Sequence, residues 1–215
     1  MSPLLRQREQ RCYLGKWQIM NSLCVFCGSA PGKDDVYLEA ARLFGTILAK
    51  RKITLVYGGG SIGLMGAVAN ATLRAGGRAV GVIPRQLWDQ EVGHRALSDL
   101  FIVDSMHERK AKMAELADGF VVLPGGIGTL EEFFETWTWS QLGIHAKPIG
   151  ILDVNGYWSG LFEFLDRMIV TGFLKPEHRA LVQLSSDPEA LLDATAAWAS
   201  AQDLAQPPRR AATAI

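Results

Sequence analysis

From Leu123 to Glu132 the chain reads Leu-Pro-Gly-Gly-Ile-Gly-Thr-Leu-Glu-Glu, a glycine-rich turn between an apolar run, Gly119–Leu123, and a helical pattern. Three glycines within four residues, Gly125, Gly126 and Gly128, let a ligand approach the backbone closely, because no Cβ stands in the way. The helix behind them offers unpaired N–H groups and the positive end of its dipole, which suits a phosphate. Glu131 and Glu132 follow at once. Acidic side chains beside a phosphate loop repel the anion, so binding alone does not account for them. Their presence points to chemistry, and to hydrolysis in particular.

A second reactive stretch is Asp104-Ser105-Met106-His107-Glu108-Arg109-Lys110-Ala111-Lys112-Met113. Met106, Met113 and Leu116 give it an apolar stripe, so it reads as a helix opening at the end of a strand. Arg109 and Lys110 are neighbours, hence about 100° apart, and cannot serve identical roles. Cations in the first turn of a helix oppose its dipole and need compensation from a bound phosphate or a carboxylate partner. Glu108 and Lys112 fit a solvated charged face. On the helix from Thr129, the stripe Leu130, Phe133, Phe134 and Trp137 is expected to face the sheet. Glu132 then falls roughly 160° away, near Thr136 and Trp139 in projection. An aromatic at 139 on the far face suggests a subunit interface. Glu131 and Glu135 read as a solvated i,i+4 pair.

Other motifs carry less. Tyr57-Gly58-Gly59-Gly60-Ser61-Ile62-Gly63 satisfies G-x-G-x-x-G between a strand and a helix. The acidic residue that a dinucleotide ribose requires is missing, because the next strand ends in Pro84-Arg85. A tight packing turn and a direct ligand role stay equally open there. Neither loop holds Gly-Lys-Ser/Thr, so one phosphate is expected rather than a triphosphate. Cys24 and Cys27 match C-x-x-C, but inside a strand, where they read as small core hydrophobes. Ser29, in the turn Gly28–Gly32, is placed to meet a phosphate or ribose. The four histidines show no ligand spacing, so no metal is expected, and no G-x-S-x-G elbow is present.

The elements that must position these groups are short apolar runs alternating with helical patterns. The runs are Leu23–Cys27, Thr54–Tyr57, Arg78–Ile83, Leu100–Val103, Gly119–Leu123, Pro148–Leu152 and Leu181–Leu184. They are continuous, as strands covered on both faces are. Helices are expected at Asp34–Lys50, Gly63–Ala75, Met106–Ala117, Thr129–Leu142, Tyr157–Thr171 and Pro188–Ala199. This order predicts an α/β fold: one domain over 22–200, a doubly wound, Rossmann-like parallel sheet with helices on both faces and ligands beyond the carboxyl ends of the strands. Residues 1–21 read as an arm or as the product of a start placed ahead of Met20, and residues 201–215 as a disordered tail. With 22 Lys+Arg against 22 Asp+Glu the chain has no basic field for nucleic acid. It has no apolar stretch of spanning length, so no membrane association is expected, and three cysteines fit a reducing cytoplasm.

Pro124-Gly125-Gly126-Ile127-Gly128-Thr129-Leu130-Glu131-Glu132 fits P-G-G-x-G-T-x-x-E, and Ser105-Met106-His107-Glu108-Arg109-Lys110 fits S-M-H-x-R-K. Together with Cys27-Gly28-Ser29 and Tyr57–Gly60, these motifs resemble the Lonely Guy family of cytokinin-activating phosphoribohydrolases, over Ser22 to Ala199. The resemblance implies hydrolysis of the N-glycosidic bond of a nucleoside 5′-monophosphate to an adenine-type base and ribose 5-phosphate, without a cofactor. It implies catalysis by Arg109 and Glu132. Substrate binding falls to Ser29, Gly60, Met106, Lys110, Gly125, Gly126, Gly128 and Thr129. Glu132 would activate water or stabilise positive charge on the ribose; Arg109 would clamp the phosphate or stabilise the departing base. The family forms homodimers or higher oligomers with the site near the interface. Other readings are purine salvage from AMP and a non-catalytic nucleotide sensor. A pyridoxal-phosphate lysine decarboxylase would need a lysine in an apolar setting, and Lys110 and Lys112 lie among charges.

Overall fold

The computed structural model describes residues 20–89 and 93–205. The arm at 1–19 and the tail from Gln206 lie outside the described residues. Strands β1 (Ser22–Phe26), β2 (Thr54–Tyr57), β3 (Ala79–Pro84), β4 (Asp99–Val103), β5 (Gly119–Val122), β6 (Ile149–Leu152) and β7 (Val182–Ser185) form one sheet. Helices α1 (Asp35–Lys50), α2 (Gly63–Arg74), α3 (Arg85–Asp89), α4 (Met106–Leu116), α5 (Ile127–Gln141), α6 (Ser159–Val170), α7 (Pro176–Arg179) and α8 (Pro188–Ala205) connect or follow them. All seven strands are parallel, in the order β4-β3-β2-β1-β5-β6-β7. The fold is the expected Rossmann-like one.

Alternation of side chains along each strand divides the core into two layers. Leu23, Val25, Leu55, Tyr57 and Val121 pack with Phe44, Leu48, Leu64, Val68 and Leu191 from α1, α2 and α8. Cys24, Phe26, Val56, Phe120 and Val122 pack with Met113, Phe133, Trp137, Phe162 and Leu165 from α4, α5 and α6. Cys24 and Cys27, three positions apart, are buried in opposite layers and carry free thiols. The C-x-x-C match is therefore core, and burial pushes both thiols up in pKa.

Several expectations are revised. The coverage of β4 is incomplete: it is an edge strand, and Phe101 and Ile102 are exposed. The short helices α3 and α7 were not foreseen, since five and four residues are too few to show a period. Helix α8 runs on to Ala205, past the expected end at Ala199. Among the described residues no helix is long and apolar enough to cross a membrane.

Strand order reverses between β1 and β5, and the crevice of a doubly wound sheet opens beyond the carboxyl ends of such a pair. The loops leaving these two strands are tied together, Gly28 N–H donating to Pro124 O at 3.0 Å. Helix α4, which carries Arg109, is fixed at both ends. Ser105 Oγ accepts from the Glu108 N–H at 3.1 Å, and the Glu108 carboxylate reaches back to the Asp104 N–H at 2.9 Å. At the other end Lys147 Nζ donates to Ala114 O and Ala117 O at 2.6 and 2.7 Å, a cation on the negative end of the helix.

Candidate active site

Arg109 leaves the first turn of α4 and crosses the ends of β2 and β3. Its Nε donates to Val82 O at 3.2 Å, and Nη1 reaches Glu132 Oε1 at 3.0 Å. Both residues are only 8% exposed, so this is a buried ion pair. Gly58 makes it possible, because a Cβ there would overlap Arg109 Nη2. Within Tyr57–Gly60 the glycine pattern thus serves the site indirectly, by leaving room for a guanidinium. Alanine at position 58 is expected to displace the guanidinium and lower turnover by about 10²-fold, as small misplacements of catalytic groups do. Circular dichroism and steady-state rates on Gly58→Ala check this; unchanged rates would show the space to be unimportant.

Burial raises the pKa of Glu132, and Arg109 is the main opposing influence, aided by Lys110. The carboxyl therefore titrates above the ordinary carboxylate range while remaining paired. Its position corrects the helical projection drawn from sequence. The buried residues of α5 are Thr129, Glu132, Phe133, Thr136 and Trp137, whereas Phe134 is exposed and Leu130 half-buried. Relative to the apolar stripe, the helix is rolled by about a quarter turn. Phe134 stacks on Trp137 at 6.0 Å between ring centroids, and Glu132 turns inward to meet Arg109. Trp139 is half-buried rather than fully outward.

Lys110 has the carboxylate partners that were one of its two expected forms of compensation. Its ammonium pairs with Glu131 and, at 2.9 Å, with Glu135. Burial pulls its pKa down, but the two carboxylates outweigh that and raise it overall. Glu131 and Glu135 are therefore a clamp joining α5 to α4, not a solvated pair. The compensation required by two cations in the first turn of α4 comes from carboxylates in both cases.

The glycine loop surrounds the start of α5. Gly126 is the N-cap and supplies no side-chain bond to the helix. A Cβ on Gly126 or Gly128 would meet nothing within 4 Å, so both backbones lie open to a ligand. Gly125 is different: a Cβ there would overlap the buried Thr129 and come within 2.8 Å of Gly28 N. Gly28, Ser29, Pro31, Tyr37, Leu64, Gly125, Gly126 and Tyr157 line a cleft of about 250 Å³. The ion pair does not line it; Glu132 stands on α5, the helix that begins at this loop. Met106, exposed, has its sulfur 3.9 Å from Arg109 Nη1. Gly60 is buried in a bridge to Gly93, and a Cβ would meet Met65 Cε at 2.7 Å. The structure thus joins Arg109 to Glu132 and Met106, and separately brings Ser29, Gly125 and Gly126 to one cleft, with Thr129 packed against Gly125. It leaves Gly60 packed and Lys110 paired. Sequence reasoning missed Tyr157, whose hydroxyl donates to Gly125 O at 2.6 Å; the only signal was the Asn155-Gly156 turn before it.

A family model described as possible lysine decarboxylase matches residues 65–195. The probable cytokinin riboside 5′-monophosphate phosphoribohydrolase LOGL9 of Oryza sativa subsp. japonica is 51% identical over 170 residues, 79% of this chain and 75% of that protein. The cytokinin riboside 5′-monophosphate phosphoribohydrolase LOG5 of Arabidopsis thaliana is 45% identical over 181 residues, 84% of this chain and 79% of the other. The chain belongs to the Lonely Guy family. Two solved structures share its fold. The molybdenum cofactor binding protein of Rippkaea orientalis has a TM-score of 0.62 at 17% identity, covering 87% of this chain and 98% of its own. The Moco carrier protein of Chlamydomonas reinhardtii has a TM-score of 0.62 at 20% identity, covering 85% and 99%. At these identities the likeness is one of fold alone.

Among the described residues, the lysine nearest the Arg109–Glu132 pair in sequence does not suit the Schiff base that the decarboxylase description would require. Lys110 is held charged by its carboxylates. One lysine does have its pKa lowered by burial, contrary to expectation: Lys147. It lies at the amino end of β6, bonded to the end of α4, at the opposite end of the strands from the loops.

Proposed function

We propose that this chain hydrolyses the N-glycosidic bond of an N6-substituted adenosine 5′-monophosphate, releasing the free base and ribose 5-phosphate. The observation that carries the reading is the buried Arg109–Glu132 pair beside an α5 N-terminus that no side chain caps. The uncapped N–H groups and the open backbones of Gly126 and Gly128 suit the 5′-phosphate. With the phosphate anchored there, the ribose extends toward Glu132. As the C1′–N9 bond breaks, positive charge gathers on the ribose and negative charge on the base. Glu132 either steadies that positive charge or takes a proton from the attacking water. The water's hydroxyl ends on C1′ and its proton on the departing base. Arg109 keeps Glu132 ionised and offers its remaining N–H donors to phosphate or base.

The same reading makes the chain a cytoplasmic homodimer. Phe134, Leu142 and Ile144 are exposed at or just beyond the carboxyl half of α5, an apolar surface next to the site. Chromatography of the protein incubated with AMP and with isopentenyladenosine monophosphate tests the activity. Free base and ribose 5-phosphate are expected, faster from the prenylated substrate, and light scattering is expected to give twice the chain mass. Preference for AMP would point to purine salvage. Release of base from neither would overturn the reading.

A further inference from the structure

We infer that Tyr157 is a positioning residue that aims the glycine loop at the substrate's phosphate. This rests on the phosphoribohydrolase reading and goes beyond it by naming what holds the loop. The peptide between Gly125 and Gly126 has a glycine on either side, so no Cβ resists its rotation. Its N–H is that of Gly126, the N-cap of α5. The Tyr157 hydroxyl donates to Gly125 O at 2.6 Å. A trans peptide sets its N–H opposite its C=O, and no cis peptide occurs among the described residues. Holding Gly125 O toward Tyr157 therefore turns the Gly126 N–H to the opposite side, and on this inference that is the side the phosphate takes.

Tyr157 is itself held. Asn155 and Gly156, at φ of 52° and 70°, form the turn that delivers it, and its ring meets the buried Trp158 edge-on at 4.8 Å. The Trp158 backbone N–H donates to the Asp153 carboxylate at 2.8 Å. On the other side Tyr37 of α1 meets the Tyr157 ring edge-on at 5.5 Å. Tyr37 packs over Gly32, where a Cβ would lie 2.8 Å from its ring. A series of contacts from α1 through two tyrosines thus ends on one carbonyl of the phosphate loop.

The test is Tyr157→Phe, which keeps the ring packing and removes only the donor. Titration with ribose 5-phosphate and with adenosine separates phosphate from base recognition without requiring turnover. Ribose 5-phosphate affinity is expected to fall about tenfold, the worth of one hydrogen bond. Adenosine affinity and the melting temperature should stay unchanged. In steady state the nucleotide KM should rise by the same factor with kcat within about twofold. Equal weakening toward adenosine, or a lower melting temperature with unchanged phosphate affinity, would reduce Tyr157 to a packing residue. Should the wild-type protein release no base yet bind ribose 5-phosphate in a Tyr157-dependent way, the strut stands and the hydrolase reading falls. Wild-type protein that binds no ribose 5-phosphate overturns both.

Discussion

Glutamine in place of Glu132 is expected to lower turnover by about 10³-fold, the usual worth of a positioned acid or base, while fold and nucleotide affinity persist. The amide keeps the shape of the carboxyl and can still accept from Arg109 Nη1, which limits, without removing, the cost of burying that guanidinium with no counter-charge. What is lost is the negative charge, the feature that a site binding phosphate has no other reason to hold beside the anion. Steady-state rates and nucleotide titration on Glu132→Gln check this, and a variant with near-native turnover would remove Glu132 from the mechanism. The wild-type pH profile supplies a second check. Burial raises the Glu132 pKa and Arg109 only partly offsets it, so the carboxyl protonates above the ordinary carboxylate range. If the ionised form is the working one, activity falls on the acid side at a pH where ordinary surface carboxylates are still charged.

The part of this site that lies in contiguous sequence was legible, because its physics is local. A strand, a turn of glycines and a helix start within ten residues fix where Gly126, Gly128 and Thr129 must be. Likewise the alternation of apolar runs and helical patterns fixed a parallel sheet, and Cys24 and Cys27 were readable as core from strand placement alone. Contacts between elements were not legible. The roll of α5 depends on how Phe134 and Trp137 stack and on a carboxylate drawn inward by a cation from α4, which no periodicity within α5 contains. The pairing of Lys110 was hidden because its carboxylates lie 21 and 25 positions away, on α5. Gly58 matched a dinucleotide pattern, yet the space it leaves is filled by a guanidinium from another helix. Tyr157 touches the loop from 32 positions away.

Methionine in place of Arg109 is expected to remove activity and also to destabilise the fold, in a way that depends on pH. Removing one partner of a buried ion pair leaves the other charge without compensation, at a cost of about 3–5 kcal/mol while it stays ionised. For a chain of this size that corresponds to a fall in melting temperature of about 6–20 °C. Glu132 can escape the cost by taking up a proton. Its folded-state pKa is already raised by burial, and loss of Arg109, the main opposing influence, raises it further. A carboxyl whose folded pKa exceeds its unfolded value costs nothing below the unfolded pKa. Its penalty grows as pH rises between the two values and is complete above the folded one. The stability deficit of Arg109→Met should therefore be greatest at neutral and alkaline pH and shrink on acidification. Adding Glu132→Leu to Arg109→Met should restore much of the stability, because two apolar side chains leave no charge to desolvate, while turnover stays absent. Thermal melts of the single and double variants across pH measure both effects. A deficit that does not vary with pH, or a double variant no more stable than Arg109→Met, would mean that Arg109 supports the fold through packing along Val82 and Gly58 and not by holding the charge of Glu132.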